Sequence, residues 1–224
     1  MEAQELSAAE RRRVRAAAWI SVLAYLNVAP ASWLAVIVAR EPRPGVVIGH
    51  ALCLVFAAVF AVYWTSQLRL ILARCFAFTR ADGPLVWGAR LSALSAVPFM
   101  AEPVAQGWLR TGLHAAGSIL SILSLALLFH AAVVLREMPG TLFGLKRWFL
   151  PCWLALTGGL LVLVALGSVL PTEPDVDAPL GLTAAMVSLL AGLAVVLTGI
   201  PVCVMSVLIF LRAARGTGPA RPPP

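Results

Sequence analysis

The chain has 224 residues, of which 61% are apolar and only 12% are charged, and its net charge is +7. So little charge with so much apolar surface excludes an ordinary water-soluble domain, because no single core of this size could bury it. The basic residues, sixteen Arg and one Lys, come in short clusters between apolar blocks. That pattern speaks for membrane topology determinants and against nucleic-acid binding.

Residues 1–15 are polar and then basic, ending in Arg11, Arg12, Arg13 and Arg15. Ser7 with Glu10 makes a capping box and predicts a helix start at Ser7. An apolar run from Ala16 to Ala39 follows. Ala29-Pro30-Ala31 resembles a signal cleavage site, but the run is too long for a signal peptide, so an uncleaved first span kinked at Pro30 is expected. Further spans are expected at 46–68, 85–105, 113–135, 148–170 and 180–211, with 75–84 as a loop. The last is long enough to require tilt or a kink at Pro201. Residues 212–224 read as a disordered tail.

The segment 85–105 contains Arg90 and Glu102, and its uninterrupted apolar stretch is short for a bilayer. Counting charges decides how it lies. If it spans, thirteen basic residues fall on the inner side: Arg11, Arg12, Arg13, Arg15, Arg69, Arg74, Arg80, Arg136, Lys146, Arg147, Arg212, Arg215 and Arg221. Three fall outside: Arg40, Arg43 and Arg110. If it lies on the surface instead, the division becomes nine against eight. The positive-inside rule selects the first arrangement. The expectation is therefore an all-α, polytopic six-helix bundle in the cell membrane, with N- and C-termini cytoplasmic. Trp19, Trp33, Trp87, Trp108, Trp148 and Trp153 fall near expected interfaces and suggest an aromatic belt. Arg40-Glu41-Pro42-Arg43-Pro44-Gly45 and Arg136-Glu137-Met138-Pro139-Gly140 echo one another after the first and fourth spans, a weak hint of an inverted repeat.

Candidate functional residues are the polar groups within or beside the spans. Arg90 and Glu102 are about 18 Å apart along a helix and cannot pair there. They either snorkel to opposite interfaces or line a cavity. His50, His114 and Glu102 share one depth and would form a metal or proton site if they converge. His130 sits near the inner end of the fourth span. His114 and His130 face nearly opposite sides, which argues against haem. Asn27, one turn before Pro30, is read as an interhelical hydrogen bond or a functional polar group. Ser118, Ser121 and Ser124 form one small-residue stripe, and Ala184, Ser188 and Gly192 another. Both read as helix packing, with a pore lining as the alternative. Asp175 and Asp177 read as a solvated acidic loop. Cys53, Cys75, Cys152 and Cys203 lack metal or disulfide spacing.

No HExxH, GxSxG, Walker motif or pair of carboxylates within one span is present, which argues against an enzyme. No catalytic residue, metal or other cofactor is assigned. The reading is a non-enzymatic structural or accessory component of a membrane assembly, whose partners are the lipid bilayer and another membrane protein or a second copy, and not nucleic acid. A transporter or channel component using Asn27, Arg90, Glu102 and the serine stripe is the alternative. A lipid-directed enzyme using His50, His114 and Glu102 is the third.

Overall fold

The computed structural model of the chain describes residues 5–40, 43–138, 146–169 and 179–215. The described residues form six long helices: α1 (Ala8–Arg40), α2 (Pro44–Phe76), α3 (Asp82–Ala101), α4 (Gly107–Arg136), α5 (Lys146–Val169) and α6 (Pro179–Ala214). A 3-10 turn, Glu102–Val104, joins α3 to α4. Helices α1, α2, α4, α5 and α6 each contain a stretch long and apolar enough to cross a membrane. Helix α3, interrupted by Arg90, does not meet that standard by composition.

Several helices outrun the expected spans. Residues 8–15 open α1, and the capping box is made. Glu10 Oε2 accepts from the Ser7 N–H at 2.8 Å, and Ser7 Oγ accepts from the Glu10 N–H at 3.3 Å. Helix α2 runs eight residues past Leu68, so the expected loop 75–84 shrinks to 77–81. The reason is that an α-helix satisfies its own backbone and need not stop where lipid-compatible side chains stop. Ala77 ends α2 in the left-handed region with φ of 50°. The Phe78 N–H then reaches back to the Leu72 carbonyl at 3.0 Å, a six-to-one closure. Pro30, Pro98, Pro151 and Pro201 all lie inside helices.

Each helix packs against its neighbours in sequence, and α6 returns to α1, so the bundle closes as a ring. The buried core lies at one end of that ring. It joins Val14 and Ala17 at the start of α1, Leu68 and Leu72 at the end of α2, and Leu85 early in α3. Leu135 ends α4, Phe149 and Trp153 open α5, and Phe210 and Ala213 close α6. Starts and ends alternate in this cluster, so successive helices, α3 included, run in opposite directions. Arg69, Arg74, Arg80, Arg136, Lys146, Arg147, Arg212 and Arg215 lie at this same end, which is called the basic end below. The acidic loop 170–178, residues 139–145 of the echoed motif and the tail 216–224 lie outside the described residues.

The ring is crossed at the basic end by aromatic side chains. Trp64 of α2 meets Trp153 of α5 edge-on at 5.4 Å and Phe210 of α6 at 6.1 Å, and Trp153 also packs on Phe149. Trp153 is 4% exposed, so its assignment to the aromatic belt is corrected: it is core. The other five belt candidates do face outward. Trp19, Trp87 and Trp148 lie toward the basic end, and Trp33 and Trp108 toward the opposite end. Leu26, Leu52, Val59, Leu94 and Ile119 are exposed between those two levels. An outer surface this apolar suits hydrocarbon rather than water.

Candidate functional site

Of the candidate residues, Glu102 and His114 come together, at the α3–α4 corner opposite the basic end. Gly107, at φ of +56°, adopts a backbone that favours glycine and lets the chain reverse into α4. Arg110 and His114 then stand one turn apart on α4 and face back toward Glu102. His114 Nδ1 lies 3.2 Å from Glu102 Oε2, its N–H donating to the carboxylate. Arg110 Nε is 4.0 Å from Glu102 Oε1. The carboxylate is the most enclosed member: the side chains of Glu102, His114 and Arg110 are 21%, 43% and 51% exposed. Phe99 braces the imidazole edge-on at 6.1 Å. Gly117 makes room for it, since a Cβ at that position would stand 2.9 Å from the Phe99 ring.

His50 approaches this corner without joining it. It is near enough to feel the Glu102 charge, but its imidazole bonds to the backbone of Ala31 on α1. Its Nδ1 is buried without a partner. Asn27 makes the reciprocal contact, donating from Nδ2 to the Cys53 carbonyl at 3.1 Å. Side chains of α1 and α2 thus each hold the other's backbone on either side of Pro30. Among the described residues, no three His, Cys, Asp or Glu side chains are placed to hold a metal ion. The arrangement can orient one imidazole, screen one carboxylate and present a guanidinium to an anion.

The remaining candidates lie elsewhere. Arg90 is on the outside of α3, its guanidinium 5.2 Å from the centre of the Trp87 ring. Trp87 lies toward the basic end, so the side chain turns to that interface, as snorkelling requires. His130 is exposed on α4. Ser118 and Ser124 are buried and Ser121 is half-buried. The Ser124 hydroxyl donates across to the Gly88 carbonyl of α3 at 2.7 Å. A Cβ at Gly88 would meet Leu128 at 2.9 Å, so the missing side chain permits this approach. A Cβ at Gly192 would meet no described atom within 4 Å. The side chains of Ala184 and Ser188 lie outside the described residues. The four cysteines are free.

Sequence reasoning did not single out Arg110, Phe99, Gly88, Gly117 or the Trp64–Trp153 contact. The four-residue spacing of Arg110 and His114 was the available signal. At the basic end it also missed the ion pair between Arg69 and Asp82, 3.2 Å apart, that ties α2 to α3. Comparison with protein-family models, with curated proteins and with solved structures finds no match to this chain.

Proposed function

We propose that the chain is a six-span protein of a cell membrane, with both termini cytoplasmic, that acts as a non-enzymatic structural or accessory component of a membrane assembly. Helix α3 counts as a span in this reading. Its 20 residues give about 30 Å, enough for the hydrocarbon core. Its alternation with α2 and α4 supports the same count. Placing the basic end in the cytoplasm follows the positive-inside rule.

The observation that carries the accessory reading is what the intramembrane polar groups do. Asn27 and Ser124 hold neighbouring helices, and His50 holds the α1 backbone. Ser21 and Thr157 bond within their own helices. Arg90 faces outward and Glu102 caps a corner, so Asn27, Arg90, Glu102 and the serines share no common path. A transport route through the basic end would also have to part the packed Trp64, Trp153 and Phe210.

Two measurements test this. The protein reconstituted in vesicles is expected to pass no more ions or small solutes than protein-free vesicles. Native electrophoresis of gently solubilised membranes is expected to place the chain in an assembly larger than its own 23.7 kDa. Solute flux from a monomer would contradict the reading. Reporter fusions at Arg110 and Pro174 are expected to report the outside.

A further inference from the structure

A groove of about 350 Å³ runs along the outer seam between α1 and α6. Val22 and Tyr25 form one wall, and Ile200, Val204 and Leu208 form the other. Cys203 lies on the floor, its thiol donating to the Ser21 carbonyl at 3.6 Å. At the far end the Tyr25 ring packs close to Gly199, where a Cβ would stand 3.4 Å from it. The accessible lining is almost wholly apolar, and both walls lie within the described residues. The groove opens outward and not into the core. Ile200 and Val204 are 50% and 52% exposed, whereas Ala17 of α1 and Phe210 of α6 turn inward and are buried.

The lower end of the groove meets the basic end of the bundle. Arg15 lies seven residues before Val22, about two turns down the same face of α1. Arg215 lies seven residues after Leu208, about two turns down the same face of α6. Both are exposed. The described carboxylates nearby are engaged elsewhere. Arg11 holds Glu5 at 3.1 Å, and Arg74 lies 3.5 Å from Glu10. Among the described residues, no carboxylate pairs with Arg15 or Arg215. Arg11, Arg12, Arg13 and Arg212 add positive charge around them. A basic cluster directly beside an apolar span attracts anionic lipid head groups.

We propose that the groove seats one acyl chain of an anionic phospholipid of the inner leaflet, whose phosphate lies between Arg15 and Arg215. From Ile200 to Arg215 is fifteen residues, about 22 Å of helix. Half of the hydrocarbon core is about 15 Å, so that length covers one leaflet's chain and reaches its head group. A water-soluble anion gains nothing from the apolar walls. A second copy in the same orientation would bring its own arginines against these, and like charges brought together disfavour that contact. The proposal goes beyond the accessory role. It rests on α1 and α6 crossing with the basic end at the cytoplasmic surface, and not on α3 crossing.

The test uses the full chain reconstituted in vesicles of equal parts phosphatidylglycerol and phosphatidylethanolamine, then transferred to detergent for native mass spectrometry. One phosphatidylglycerol per chain is expected to survive activation that strips the other lipids. Val22→Trp and Val204→Trp fill the groove and are expected to abolish that retention. Leu23→Trp, at a position of α1 that is 55% exposed and outside the groove, is expected to leave it intact. Arg15→Ala and Arg215→Ala are each expected to weaken retention about fivefold. Arg136→Ala, exposed at the same end on α4, is expected to leave it unchanged. Circular dichroism identifies any variant that fails to fold, and the other groove variant then decides. The proposal is overturned if no lipid is retained, if phosphatidylethanolamine is retained equally well, or if both groove variants hold the lipid as wild type does. Equal loss from Leu23→Trp or Arg136→Ala overturns it too, as does unchanged retention in both Arg15→Ala and Arg215→Ala. A doubled mass that Val204→Trp abolishes also overturns it, because the groove would then seat a second copy. Labelling of the basic end from outside intact cells would overturn the cytoplasmic placement instead, whatever the lipid count.

Discussion

At the scale of single residues, polar side chains hold the helices to one another. Asn27 to the Cys53 carbonyl and His50 to the Ala31 backbone connect α1 and α2 where Pro30 has removed a helix bond. Interhelical bonds of this kind contribute about 0.6–1.7 kcal/mol in membranes. Asn27→Ala is expected to destabilise by about that much in reversible unfolding from mixed micelles. Ala77 supplies a second test. It holds φ of 50° at the end of α2, a conformation costly to any residue with a Cβ, so Ala77→Gly is expected to stabilise by about 1 kcal/mol. Glu10 lies ahead of the apolar run, at the basic end. Its hydrogen bonds with the Ser7 backbone and hydroxyl hold its carboxyl below the ordinary glutamate value, and the Arg74 and Arg13 charges add to this. A lowered folded-state value means stability that is present above the ordinary value and lost as pH falls through the folded one. Wild type is therefore expected to exceed Glu10→Gln in stability at neutral pH. That difference should vanish in acid, as followed by thermal unfolding across pH.

At the scale of elements, the apolar blocks made six helices legible, and the capping box marked where the first begins. What the sequence concealed was which face each residue occupies. Trp153 lies as near a helix start as an interfacial residue would, and only its neighbours Trp64 and Phe149 show that it is core. Helix ends were also misjudged, because Arg69 and Arg74 interrupt the hydropathy without interrupting the backbone bonds. The Glu102–His114 contact was hidden for another reason. Twelve residues separate the two, and only the reversal at Gly107 brings them together. A paired measurement separates core from belt. Trp153→Ala is expected to cost about 3–5 kcal/mol, whereas Trp19→Ala, 67% exposed, should leave the fold's stability nearly unchanged.

At the scale of the whole molecule, a ring of six alternating helices gathers its core and most of its basic residues at one end. It leaves a charged corner at the other. The six-span reading proposed above depends on α3 carrying the chain across the bilayer. Its composition alone leaves this open: Arg90 breaks its apolar stretch, and five other helices make the stronger case for crossing. Single cysteines placed at Thr79, between α2 and α3, and at Thr111, just inside α4, bracket the helix. In a cysteine-free background an impermeant maleimide applied to intact cells should label Thr111→Cys at once, and Thr79→Cys only after permeabilisation. Labelling of both positions from the same side would contradict the six-span bundle.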